Sequence, residues 1–168
     1  RTNAALGVRE SGLGARVAAV IFGALVVALG AQVSIPLPGT PVPMTLQPMA
    51  VLLVGGLLGA RLGALSMILY LAMGAAGLPV FTPTVPLVGI ARLLGPTGGY
   101  LLAYPIAAWA VGTVGADGRN VWRVACGVFA GLVLIHLGGL AQLAILTGNV
   151  SAAARFGTAP FLLGDLLK

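Results

Sequence analysis

Between Leu46 and Ala76 the chain carries one charge, Arg61, set in Gly59-Ala60-Arg61 between two apolar runs, 46–60 and 62–76. Each run is shorter than the ~20 residues a helix needs to cross a bilayer, so a buried core helix competes with a membrane span for both. The rest of the chain favours the membrane. Only 7% of its residues are charged and 59% are hydrophobic, whereas a soluble domain carries about 25% charge. Such a surface cannot face water all round. The expected fold is an all-α integral membrane protein, one domain over 1–168, in which the two runs form a transmembrane hairpin with Arg61 at its tip. The high glycine content fits helices that pack closely in lipid.

Six helices are expected, at about 16–33, 46–60, 62–76, 99–115, 121–146 and 158–168. The segment before Arg16 is polar or small and is read as a tail. The first run has a basic flank and the cleavage-like Ala28-Leu29-Gly30 of a signal peptide, but the spans that follow favour a retained helix. Along it Ala15, Ala19, Gly23, Val27 and Ala31 recur every four residues. Small residues at that spacing admit a close neighbour, which is either a partner's helix or another helix of this chain. Pro36, Pro38, Pro41 and Pro43 exclude a helix from 34–45. Apolar and uncharged, that loop suits a lid over a pocket, with Gln47 directly behind it. Pro105 is expected to kink the fourth helix, and Trp122 and Arg123 mark the interfacial start of the fifth. Residues 147–157 are read as a loop. The last helix begins near Thr158 and is too short to span as given, so a truncation is expected there.

The cations set an orientation. With the N-terminus in the cytoplasm, Arg1, Arg9, Arg16, Arg61, Arg119 and Arg123 fall inside, and Arg92 and Arg155 fall in outer loops. The lid, the stretch 77–104 and the start of the sixth helix then share the outer side, where a ligand pocket is expected.

The stretch 77–104 is the most irregular part. Prolines at 79, 83, 86 and 96 and glycines at 77, 89, 95, 98 and 99 deny it a long helix. It nonetheless carries Arg92, and a charge on irregular backbone in a membrane protein marks a candidate site. Residues 94–100, LGPTGGY, then open a helix with Thr97 at the N-cap position. A helix N-terminus beside an arginine suits an anion such as a carboxylate, and a tight inter-helix turn is the plain alternative. Asp165 and Lys168 lie three apart on one helix face within an apolar segment, as a ligand-binding pair or as a structural ion pair.

The motifs PVPMTLQ (41–47), GLPVF (77–81), LLGPTGGYL (93–101) and GDLLK (164–168) together resemble the BioY family. That family comprises the biotin-binding S-components of energy-coupling-factor vitamin transporters in prokaryotic plasma membranes, and the similarity runs from about Ala28 to Lys168. It implies biotin as the transported substrate, and as partners a transmembrane coupling protein and two ATPase subunits. It also implies that Ala15, Ala19, Gly23 and Val27 face the coupling protein. Asp165 and Lys168 match the family's motif directly and imply contacts to the ureido ring. Arg92 matches less directly, because the family's often glycine-rich loop is here TPTVPLVGIAR (82–92). The Thr97–Gly99 amides are the other candidate for the carboxylate. Gln47, Tyr100 and Phe81 complete the expected site.

Other functions find little support. The cations are scattered rather than clustered, which disfavours nucleic acid. No P-loop follows the glycines, and the single histidine, His136, has no acidic neighbour in the first five helices and reads as a packing residue. A catalytic constellation, a metal site and a resident cofactor are therefore not expected. The alternative to a binding subunit is a self-sufficient secondary transporter of a small anionic metabolite, which six helices would serve best as a homo-oligomer.

Overall fold

The computed structural model describes residues 12–115, 120–158, 160 and 161. Its helices are α1 (Leu13–Gln32), α2 (Gln47–Ala75), α3 (Ile90–Leu94), α4 (Gly98–Val114), α5 (Val121–Thr147) and α6 (Val150–Gly157). Two short strands, β1 (Ser34–Ile35) and β2 (Met44–Thr45), pair antiparallel with Ser34 opposite Thr45.

Helix α2 is a hairpin of two arms. Gly59 adopts φ 78° and ψ 173°, a backbone region essentially reserved for glycine. The chain reverses there, so that the Gln47 Nε2 amide donates to the Tyr70 hydroxyl at 2.6 Å. In an unbroken helix these residues, 23 apart, would be separated by about 35 Å. The turn lies two residues ahead of Arg61, which sits in the first turn of the second arm.

Helix α4 packs between the hairpin and α5, α1 packs on the hairpin, and α6 lies on α5. The small-residue face of α1 is used within this chain. Gly23, Val27 and Ala31 are buried, and a Cβ at Gly23 would overlap Ser66 and Val54. For Gly23 and Val27, close packing inside the chain is therefore the arrangement found, whereas Ala15 is exposed and Ala19 half-buried.

Ile21, Phe22, Leu25 and Leu29 on α1, and Phe129, Val133, Leu137 and Ile145 on α5, point outward. Exposed apolar area on that scale would be a liability in water and is the natural surface toward lipid. Both helices are long and apolar enough to cross a membrane. The architecture is an all-α membrane bundle.

One expectation fails. Residues 147–157 are not a loop, because Gly148 ends α5 in the left-handed conformation at φ 66° and Asn149 starts α6 at once. The Asn149 Oδ1 accepts from the Ser151 and Ala152 amides at 2.9 and 3.2 Å, which satisfies donors a helix start leaves open. Glycine as a stop followed by asparagine as a cap was a readable signal for a new helix.

Candidate binding site

A cavity of about 50 Å³ opens at the end of the bundle where the lid, the irregular stretch and the start of α4 meet. The lid contributes Val42 and Pro43, and the first turn of α2 contributes Gln47. The β1–β2 pairing folds the lid back over this end, and Thr40 Oγ1 ties its tip to the Phe156 carbonyl at 2.6 Å. A proline-rich loop without charges can close over a pocket at little desolvation cost.

Arg92 lies on the cavity wall and is only 1% exposed. The irregular backbone before it positions its fork: Nη1 donates to the Val85 carbonyl at 2.7 Å and Nη2 to the Thr82 carbonyl at 3.1 Å. Nε has no partner among the described residues, and neither has the buried Thr97 hydroxyl on the same wall. The acids Glu10, Asp117 and Asp165 all lie outside the described residues. Among the described residues the guanidinium is met by carbonyl oxygens, which offset a buried charge poorly. The site therefore suits an anionic group, and a planar fork suits a carboxylate.

Of the residues expected at the site, the structure brings Gln47, Arg92, Thr97 and Tyr100 to one cavity. Phe81 stands behind the wall, edge-on to Tyr70 with ring centroids 5.4 Å apart, and its centroid is 6.0 Å from Arg92 Cζ. Asp165 and Lys168 lie outside the described residues. Thr97 occupies the N-cap position of α4, but its hydroxyl makes no capping bond. The glycines after it are required by packing: a Cβ at Gly98 would overlap the Leu93 carbonyl, and one at Gly99 the Gly138 carbonyl of α5.

Sequence reasoning gave too little weight to three lining residues. Tyr104 is buried on the wall, one helical turn past Tyr100. His136 also lines the cavity, edge-on to Tyr100 at 6.3 Å and 82°, so it is both a packing and a lining residue. Thr82 reaches the cavity from irregular backbone, which no periodicity could have indicated. Gln142, also passed over, donates from α5 to the Leu93 and Gly95 carbonyls at 2.9 and 2.8 Å and fixes the turn into α4. A lone amide in an apolar helix was its signal.

These features define a membrane-embedded helical bundle with a small, partly open cavity at one end, whose wall suits an organic anion. The chain belongs to the BioY family, whose model matches residues 5–168. It is 43% identical over 148 residues to the probable biotin transporter BioY of Pyrococcus horikoshii, covering 86% of this chain and 85% of that protein. It is 40% identical over 149 residues to the biotin transporter BioY of Thermotoga maritima, covering 88% and 85%. The fold matches a crystal structure of the S-component for biotin from an ECF-type ABC transporter with a TM-score of 0.77 and 25% identity, over 94% of this chain and 88% of that one.

Proposed function

We infer that this chain is the biotin-binding membrane subunit of an energy-coupling-factor uptake system and works with a transmembrane coupling protein and ATPase subunits. The observation that carries this is the family match along 5–168 together with the shared fold of the biotin S-component. The cavity wall is consistent with it, because biotin presents a carboxylate on an apolar tail. These observations favour a binding subunit over a self-sufficient secondary transporter.

The residue roles are our proposal. Arg92 takes the carboxylate through its fork, helped by the Thr97 hydroxyl, both of which have a buried polar atom without a partner among the described residues. Asp165 accepts from the ureido N–H groups and Lys168 donates to the ureido carbonyl, which the hydrogen-bonding capacities of these groups allow. Gln47, Tyr100 and Tyr104 line the walls. The N-terminus is cytoplasmic and the cavity faces outward, on the strength of the arginine distribution. Ala15 and Ala19, the part of the α1 face not buried in this chain, meet the coupling protein.

Titration of the detergent-solubilised chain with biotin tests the reading. Saturable one-to-one binding without ATP or an ion gradient is the expected result. No binding, or uptake by the chain alone that requires a sodium or proton gradient, would overturn it.

A further inference from the structure

We propose that Tyr70 is a positioning residue that holds the Arg92 fork in register with the ligand carboxylate; this rests on the biotin reading above. Tyr70 is fully buried in the second arm of α2, behind the cavity wall. Its hydroxyl accepts from Gln47 Nε2 at 2.6 Å and donates to the Val80 carbonyl at 3.2 Å. Two residues beyond Val80, the Thr82 carbonyl receives Arg92 Nη2 at 3.1 Å. Between them Phe81 touches both ends of the path, edge-on to Tyr70 and 6.0 Å from Arg92 Cζ. A continuous route thus runs from Gln47 through the Tyr70 hydroxyl and the backbone of 80–82 to the guanidinium.

The route matters because of what it holds. Residues 77–89 form no regular secondary structure, so no helix or sheet ladder fixes the carbonyls that Arg92 leans on. A bidentate contact to a carboxylate tolerates an error of only about 0.5 Å. The Tyr70 hydroxyl is a tertiary anchor on this segment. Only a group that donates and accepts at once can serve both Gln47 and Val80. Phenylalanine would keep the ring, which stacks on Tyr104 at 6.5 Å and packs on Phe81, and would lose the anchor.

The experiment uses two ligands: biotin, and biotin methyl ester, whose tail carries no charge. Affinities of both are measured by calorimetry for the wild-type chain, Tyr70→Phe, Arg92→Lys and the double variant, with a thermal melt of each. If Tyr70 acts through Arg92, Tyr70→Phe weakens biotin binding roughly three- to ten-fold, the scale of a lost buried hydrogen bond. The ester changes by less than about two-fold, a level set by the same scale. On the Arg92→Lys background, Tyr70→Phe then adds no further loss for biotin. Equal losses for both ligands would mean that Tyr70 only shapes the fold, and an unchanged biotin affinity would mean that it holds nothing; either result overturns the proposal. Wild-type protein that binds the ester as tightly as biotin overturns the Arg92–carboxylate link and the proposal with it. Wild-type protein that binds neither ligand overturns the functional reading itself, and that failure shows in the wild-type arm alone.

Discussion

Tyr100 donates a hydrogen bond to the carbonyl of Gly157, 57 residues further along the chain. It ties a cavity-lining side chain of α4 to the last residue of α6, where a Cβ would displace Leu143 and the Tyr100 hydroxyl. One residue earlier, the Phe156 carbonyl accepts from Thr40 of the lid. The end of α6 is thus held by the pocket wall and the lid together, just ahead of the segment that carries Asp165.

Removing the first tie should cost more than removing the second. Tyr100→Phe leaves a buried carbonyl unsatisfied, which costs about 1–3 kcal/mol. Thr40→Val breaks the exposed bond to Phe156, whose partner water can replace, and the part-buried bond that Thr40 Oγ1 accepts from the Val42 amide at 3.1 Å, and should cost about 0.5–1.5 kcal/mol. Thermal melts of both variants check the order. A Thr40→Val variant less stable than Tyr100→Phe would show that the lid, rather than the pocket wall, anchors α6.

The small-residue face of α1 should divide into two parts. Gly23→Leu drives a side chain into Ser66 and Val54, so the isolated chain should lose stability, by at least the 1–3 kcal/mol typical of overpacking. Ala15→Leu and Ala19→Leu should leave melting and biotin binding nearly unchanged while weakening co-purification with the coupling protein. Normal assembly by both alanine variants would remove this face from the partner interface.

Asp165→Asn keeps the shape of the side chain and replaces a charged acceptor with a neutral amide. Hydrogen bonds to charged groups contribute about 1.5–3 kcal/mol, so biotin affinity should fall roughly 10- to 150-fold. A structural Asp165–Lys168 pair predicts otherwise: single changes would destabilise the protein, and the joint change to leucine would restore it. Full-affinity binding by a well-folded Asp165→Leu/Lys168→Leu variant would sink the ligand role.

Orientation is open to chemical labelling. Gly39→Cys in the lid should react with an impermeant thiol reagent from outside intact cells, and Gly118→Cys only after permeabilisation. Both would be made with Cys126 replaced by serine, since that thiol is exposed. The reverse labelling pattern would invert the topology argued from the arginines.

Much of the architecture follows from properties local to the chain. Apolar runs of 46–60 and 62–76, separated by Gly59-Ala60-Arg61, are enough to expect a hairpin, because only glycine adopts the backbone found at Gly59 without strain. Prolines at 36, 38, 41 and 43 exclude a helix from the lid whatever surrounds it. Arg92 declares itself by chemistry, since a charge in a membrane protein has to find a partner or a cavity. The start of α6 is equally local, in a glycine stop at Gly148 followed by an asparagine cap at Asn149.

What the tertiary structure alone decided is which surfaces meet. Periodicity along α1 shows that Gly23, Val27 and Ala31 share a face, and it shows nothing of what that face touches; Ser66 and Val54 answer for Gly23. The glycines at 98 and 99 read alike whether a ligand or α5 approaches them. Thr82, Tyr104 and His136 reach one cavity from three distant segments, and Tyr70 is linked to that wall through Gln47, Val80 and the Tyr104 ring. Hydropathy and backbone preference are set by a residue and its neighbours in sequence. Convergence depends on how the volumes of distant helices fit, and only the folded chain expresses that.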